Sequence, residues 1–129
     1  MGFLDRYRDP IYALTRIVVG LLFAMHGAQK LFGWFGGAPG EMPAPLLYAA
    51  GIIELGGGTL IAVGVSTRWA AFLCSGTMAV AYFMVHQPMG LLPIQNRGEL
   101  AALYCWIFLL IASRGDGIWS LRGSSSAGS

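Results

Sequence analysis

Charged residues are scarce in this sequence, at 11% against 56% hydrophobic residues. A soluble domain carries about 25% charged residues, and a monomer with so few would expose too much apolar surface to stay dissolved. The length of 129 residues suits a single domain. The shortage of charge therefore excludes an ordinary soluble domain and indicates a protein that has lipid as its solvent.

Basic runs and cysteine motifs are also missing. The formal net charge is only +2, and no basic run is interleaved with aromatic residues, which argues against a nucleic-acid partner. Cys74 and Cys105 do not form a C-x-x-C pair, so neither a zinc ribbon nor a dithiol redox motif is indicated. No haem or metal motif is present either, since even an H-x-x-x-H spacing is lacking. We expect both cysteines to remain free thiols.

Four apolar stretches come close to the ~20 residues that a bilayer requires. They run over about Ile11–Phe32, Pro45–Val65, Arg68–His86 and Gly98–Ser113. The last is a few residues short, which slight local thinning of the bilayer could absorb. Because only residues 66–67 separate the second stretch from the third, these two should form a tight hairpin. The sequence therefore predicts an all-α membrane protein, an antiparallel bundle of four transmembrane helices.

Basic residues are distributed unequally between the two ends of this bundle. Lys30 and Arg97 lie on the side of the first and third loops. The opposite side holds Arg6, Arg8, Arg68, Arg114 and Arg122. Because cytoplasmic loops carry the excess of Lys and Arg, we expect a multi-pass protein of the inner (plasma) membrane with both termini cytoplasmic (N-in/C-in). One transmembrane domain should cover residues 1–122, followed by a disordered low-complexity tail at 123–129.

Small residues recur at four-residue spacing in three of the predicted helices. They are Gly20, Ala24 and Ala28 in the first, Gly58 and Ala62 in the second, and Ala71, Ser75 and Ala79 in the third. Such spacing lets helix backbones approach closely in lipid, where apolar burial alone gives no drive for association. These stripes are therefore the predicted contacts between helices.

Polar residues gather in the outer half of the predicted bundle, although an ionisable group inside a membrane costs about 2.5–3.5 kcal/mol. The set is His26, Gln29, Lys30, Glu54, His86 and Glu99. Glu54 should lie deepest, roughly 14 Å from the outer end of its helix at 1.5 Å per residue. A charge at that depth must be paired, hydrogen-bonded or protonated. By depth and helix face, its nearest candidates are His26 and Lys30.

Four interpretations of this polar set remain open at the level of sequence. The groups could satisfy one another and only fix the register of the helices. They could form a pocket for a quinone-like or other small polar-headed molecule, or line a proton or solute path. The two histidines with Glu54 and Glu99 are also ligand types that suit a divalent transition metal. Arg16, near the inner end, is expected to snorkel or to pair with a lipid phosphate.

Several separate motifs, in order along about residues 10–121, resemble the DoxX family of small bacterial membrane proteins. They are R-(x)9-HGAQKLFG at Arg16–Gly33, IELGGGTLIAVGVSTRWAA at Ile53–Ala71, NRGELAALY at Asn96–Tyr104 and RGDGIWSLR at Arg114–Arg122. Arg97 stands where the family typically has the first glycine of N-G-G-E, and Arg122 stands where it has an acidic residue. The resemblance implies a four-helix membrane fold, with the family's polar motif residues at His26, Lys30, Glu54 and Glu99.

The resemblance also implies a link to redox biology. Members of the family include the small subunit of a thiosulfate:quinone oxidoreductase and membrane partners of superoxide- and thiol-handling enzymes. We therefore expect a non-catalytic accessory subunit of a redox or electron-transfer complex, which shapes a quinone or small-ligand site. Its expected partners are membrane lipids together with other membrane proteins or further copies of itself. A quinone-linked oxidoreductase module and a small solute or proton transporter are the alternatives, and no cofactor other than a quinone is indicated.

Overall fold

The computed structural model describes residues 2–37 and 42–121 of the chain. Its α-helices are α1 (Arg8–Phe32), α2 (Ala44–Val63), α3 (Thr67–Ala81), α4 (Pro93–Asn96) and α5 (Glu99–Arg114). Short 3-10 turns cover Gly2–Tyr7, Trp34–Gly36 and Gln87–Met89, and a π-helical turn covers Tyr82–His86. No strand occurs in the described ranges, so the all-α class is confirmed. Arg122, the expected tail at 123–129 and part of the first loop, 38–41, lie outside the described residues.

The helices begin and end close to the expected positions. Pro45 lies in the first turn of α2, where its missing N–H costs no helical hydrogen bond. The same helix stops at Gly64, which has a left-handed φ of 78° and donates its N–H to the Leu60 carbonyl at 2.9 Å. Only residues 64–66 separate α2 from α3, so these helices form the expected hairpin. Helix α3 ends earlier than expected, at Ala81, and the chain continues as the π turn to His86.

Within the described residues, three segments are long and apolar enough to cross a membrane, namely Gly2–Phe32, Ala44–Val63 and Thr67–Met89. Helix α5 has only 16 residues. The outward faces of the helices are apolar, and their exposed side chains include Leu14, Val18, Leu21, Ile52, Phe72 and Trp106. Because no polar layer covers these faces, the bundle suits a lipid environment better than water.

Helices α1 and α2 pack backbone against backbone at Gly20 and Gly58. A Cβ atom added to Gly20 would lie 2.6 Å from the Ala62 nitrogen, and one added to Gly58 would lie 2.6 Å from the Ala24 nitrogen. The predicted contact between the small-residue stripes of these two helices is therefore confirmed. Close approach brings many atom pairs into dispersion contact, and this attraction holds helices together in lipid.

The third small-residue stripe faces α5. Ala71 and Ser75 are buried, whereas Ala79 is half-buried. The Ser75 hydroxyl donates a hydrogen bond to the Cys105 backbone carbonyl of α5 at 2.8 Å. Both cysteines are free thiols, and Cys74 is fully buried. Small residues and one interhelical hydrogen bond thus join α3 to α5.

An aromatic cluster joins α1 to α5 in the core. The Phe23 ring centroid lies 4.7 Å from that of Phe108 and 5.1 Å from that of Tyr104. Tyr104 and Phe108 stack with their centroids 5.5 Å apart. Such pairs contribute about 0.5–1.5 kcal/mol each beyond their buried area, so this cluster fixes the position of α5 against the rest of the bundle.

Arg16 neither snorkels nor reaches lipid, so the expectation for this residue was wrong. Its side chain is 0% exposed. The guanidinium donates to the backbone carbonyls of Ile61 (3.0 Å), Ala62 (3.4 Å), Asp116, Ile118 (3.0 Å) and Trp119 (2.7 Å). Helix α2 ends beside it and the segment after α5 passes beside it, and the carbonyls at both places lack helical N–H partners. Arg16 supplies the missing donors, which explains why a charge is tolerated there.

The same end of the bundle gathers the start of α1, the α2–α3 turn and the segment after α5. The Tyr12 hydroxyl donates to the Gly115 carbonyl at 2.6 Å, and the Leu121 N–H donates to the Val63 carbonyl at 2.8 Å. Arg68, near the start of α3, donates to the carbonyls at the end of α5. Hydrogen bonds therefore join parts of the chain that lie from 44 to 103 residues apart at this end.

Candidate functional site

A cleft of about 1490 Å³ opens between α2 and α3. We call it the α2–α3 cleft. Its apolar walls include Leu46, Ala50 and Ile53 from α2 and Phe72, Leu73 and Val80 from α3. Phe23 of α1 and Tyr104 of α5 contribute to its inner surface. Because typical small-molecule pockets measure about 300–1,000 Å³, this cleft has room for a ligand with a long apolar portion.

The deepest polar feature of the cleft is an ion pair between Lys30 and Glu54. The Lys30 Nζ lies 2.9 Å from the Glu54 Oε1, and the side chains are 15% and 3% exposed respectively. The expectation that Glu54 is buried and needs a partner is confirmed, and Lys30 is that partner. Pairing offsets the desolvation of both charges, so the pair forms a polar patch on an otherwise apolar surface.

His26 lies one helical turn before Lys30 and lines the same cleft. Its ring packs edge-on against Tyr104, with the centroids 6.0 Å apart. Neither ring nitrogen makes a hydrogen bond within residues 2–37 and 42–121. A neutral imidazole offers one donor and one acceptor, so His26 is available to a polar group that enters the cleft.

Gln29 and His86 also line the cleft. The Gln29 Nε2 lies 3.5 Å from the Phe35 carbonyl oxygen, which is long for a hydrogen bond. The His86 Nδ1 lies 3.1 Å from the Asn96 carbonyl oxygen. His86 ends the π turn that follows α3, and such turns are frequent at functional sites because they redirect side chains.

Glu99 is not brought into the cleft with the other expected residues. It is exposed in the first turn of α5 and does not belong to the lining, whereas Arg97 and Tyr104 do. Glu99 and Tyr104 lie on different faces of α5, because five residues turn a helix well past one full turn. The expected residues that do meet around the cleft are His26, Gln29, Lys30, Glu54 and His86.

The metal interpretation receives no geometric support from the part of the chain that the structure describes. No group of three or more His, Cys, Asp or Glu side chains within these residues is arranged to hold a metal ion. Glu99, one of the four ligand candidates, lies apart from the cleft. The remaining polar groups are arranged around a space that is wide and mostly apolar.

Tyr104 and Asn96 were not singled out from the sequence. Tyr104 contributes to the cleft surface beside His26, and Asn96 is fully buried and holds the segment before α5. The available signals were the aromatic pair at i and i+4 in α5 and the place of Asn96 at the start of the NRGELAALY motif. Neither signal indicates by itself which neighbour the side chain will meet.

Comparison with known proteins agrees with this architecture. The family model for DoxX matches residues 11–87, which cover most of α1 and the whole of α2, α3 and the π turn. The chain belongs to the DoxX family. It is 39% identical to an uncharacterized protein of Haemophilus influenzae, over 94% of this chain and 95% of that protein. It is also 31% identical to an uncharacterized membrane protein of Mycobacterium tuberculosis, over 87% of this chain and 79% of that one. No solved structure matches the chain significantly.

The DoxX match includes most of the cleft. His26, Gln29, Lys30, Glu54 and His86 all lie within the matched residues. Arg97 and Tyr104 lie beyond them. DoxX membership and the three apolar segments together establish a membrane protein. The family match covers most residues of the cleft but assigns no ligand to it.

Proposed function

We propose that this DoxX protein is a non-catalytic accessory subunit of a redox or electron-transfer complex in the bacterial inner membrane. In this proposal the α2–α3 cleft holds a lipid-soluble ligand with a polar headgroup. The observation that supports it is the combination of a large apolar cleft and a few convergent polar groups, the arrangement typical of ligand sites. A quinone is one ligand of this kind.

The chemistry of the cleft suits binding better than catalysis. Lys30 and Glu54 neutralise one another at 2.9 Å, and the buried carboxylate is held by its partner. His26 can donate or accept one hydrogen bond at the headgroup, while Phe72 and Leu73 offer apolar contact to a tail. Binding, orientation and release of a ligand require no more than these groups.

The proposal includes four transmembrane helices with both termini in the cytoplasm. Helix α5 would span with its 16 residues, roughly 24 Å at 1.5 Å per residue, if the bilayer thins locally. The concentration of arginine at the end that holds the α2–α3 turn supports a cytoplasmic location of that end.

Cysteine labelling of intact cells tests this topology. A membrane-impermeant maleimide should label a Pro43→Cys variant and should label a Gly2→Cys variant only after the membrane is permeabilised. Both positions are exposed, and the native cysteines are buried or half-buried. The opposite labelling pattern would contradict the topology and, with it, the outer position of the polar groups.

Gly76→Leu tests the ligand site. A Cβ atom added to Gly76 meets nothing within 4 Å, and Gly76 lines the cleft. A leucine there should project into the cleft and narrow it without disturbing the fold. Protein purified in mild detergent should therefore lose its bound ligand, as measured by mass spectrometry of lipid extracts.

Gly56→Leu is the matched control. Gly56 also has open space for a Cβ atom, but it does not line the cleft, so its ligand content should equal that of the wild type. If Gly76→Leu keeps as much ligand as the wild type, or if the wild type carries none, the proposed site does not exist.

The accessory role requires a redox partner. When the protein is isolated in mild detergent, a second protein should co-purify whose absorbance spectrum shows a flavin, a haem or an iron–sulfur cluster. If this chain alone is purified from a membrane extract whose redox enzymes are intact, the accessory role is contradicted. The transport alternative would need an open path from Glu54 to Arg16, and the packed core that holds Phe23 and Ile61, both buried, does not favour one.

A further inference from the structure

Arg97 adopts a backbone conformation that is unusual for its residue type. It ends α4 with a left-handed φ of 61°. L side chains reach this region only at a free-energy cost, and glycine is the residue that tolerates it best. A non-glycine residue persists there only where the surrounding structure fixes it, and such residues cluster at functional sites.

The neighbours of Arg97 hold this conformation firmly. Asn96 is fully buried, and its Nδ2 donates to the Tyr82 hydroxyl at 3.1 Å and to the Gly90 carbonyl at 3.0 Å. Its Oδ1 accepts the Gly98 N–H at 2.9 Å. The chain is therefore fixed on both sides of Arg97, which is presented from a rigid segment.

Arg97 is also a cation without a partner. Its side chain makes no ion pair or hydrogen bond within the part of the chain that the structure describes, yet it lines the α2–α3 cleft. The other cationic side chain of the lining, Lys30, is already paired with Glu54. Glu99 lies outside the lining. The mouth of the cleft near Arg97 is thus left with an uncompensated positive charge.

We propose that Arg97 binds the anionic phosphodiester headgroup of a phospholipid whose acyl chain lies in the α2–α3 cleft. This inference rests on the proposed function and names the class of ligand. Charge complementarity supports an anionic headgroup, because a neutral one would leave Arg97 without a counter-charge.

The dimensions of the cleft support an acyl chain. Its lining extends along α3 and the π turn from Trp69 to Val85, roughly 24 Å at 1.5 Å per residue. One leaflet accounts for about half of the ~30 Å hydrocarbon core, so the cleft can accept the full tail of a lipid from the leaflet that faces Arg97. The cleft opens laterally between two helices, which gives a lipid direct access from the bilayer.

Native mass spectrometry with two lipids tests the proposal. The probes are phosphatidylglycerol and phosphatidylcholine with identical acyl chains, added in equal amounts to the detergent-purified chain. The wild type should bind phosphatidylglycerol about fivefold more tightly, the effect of one basic side chain on an anionic lipid surface. Arg97→Gly, which suits the left-handed φ, should keep the fold and abolish this preference.

Two further variants make the result specific. Arg8→Gln removes an exposed arginine at the start of α1, at the end of the bundle opposite to Arg97. This variant should leave the preference for phosphatidylglycerol unchanged. Gly76→Leu should reduce the binding of both lipids. If the wild type binds both lipids equally, or if Arg97→Gly keeps the preference, the headgroup proposal is wrong. A loss of ligand in Gly76→Leu would still support the cleft as a ligand site in that case. A neutral quinone that occupies the cleft equally well in the wild type and in Arg97→Gly would also overturn it. If Gly76→Leu binds both lipids as the wild type does, the proposed function itself fails.

Discussion

Replacing Arg16 by methionine should destabilise the protein strongly. The guanidinium bonds four carbonyls at 3.0 Å or less, in α2 and in the segment after α5, and a fifth at 3.4 Å. Methionine fills a similar volume but offers no donor, so carbonyls that have no helical N–H partner would lose their hydrogen bonds.

The magnitude follows from the number of bonds. Polar interactions between membrane helices contribute roughly 0.6–1.7 kcal/mol each, so four strong bonds amount to about 2–7 kcal/mol. Removing a buried cation also removes its desolvation cost, which offsets part of this loss. We therefore expect the free energy of unfolding to fall by about 3 kcal/mol, a large fraction of the 5–15 kcal/mol typical of a domain.

Reversible unfolding in mixed micelles, followed by circular dichroism, measures this change. Arg8→Met is the matched control, because Arg8 is exposed and its loss should change stability by less than about 0.5 kcal/mol. Arg16→Lys should give an intermediate result, since one ammonium group cannot reproduce a planar fork with five donors. If Arg16→Met is as stable as Arg8→Met, the guanidinium does not hold α2 to the C-terminal segment, and the structural role given to it is wrong.

Two further substitutions probe the α1–α2 contact and the buried ion pair. Gly20→Leu should lower the free energy of unfolding by about 1–3 kcal/mol, because its Cβ atom would lie 2.6 Å from the Ala62 nitrogen. Gly56→Leu has open space and serves as the control, and an equal loss in both would contradict close packing at Gly20. Glu54→Leu should lower it by about 1–3 kcal/mol, less than for a fully enclosed pair because Lys30 is 15% exposed and can extend towards water. Glu54→Gln, which can still accept from Lys30, should lose less, and a Glu54→Leu variant of wild-type stability would show that the pair contributes nothing to folding.

The sequence by itself determined the helices and the membrane class. In lipid every backbone polar group must be satisfied within the protein, and a single long apolar run satisfies its own groups only as a helix. The contact between Gly20 and Gly58 could also be predicted, because four-residue spacing places small residues on one helix face. The same holds for Glu54, since a carboxylate inside an apolar stretch needs a partner, and Lys30 lies at the matching depth on the neighbouring helix.

Only the tertiary structure decided the role of Arg16, the exclusion of Glu99 and the existence of the cleft. The carbonyls that Arg16 bonds lie from 45 to 103 residues away along the chain, and no local pattern indicates that the end of α2 and the segment after α5 will meet beside it. Glu99 was placed at the correct end of α5 but on a face that turns away from the cleft. The cleft depends on how far α2 and α3 diverge beyond their short turn. That divergence is set by the packing of α1 against α2 and of α5 against α3, because the hairpin turn constrains the two helices at one end alone.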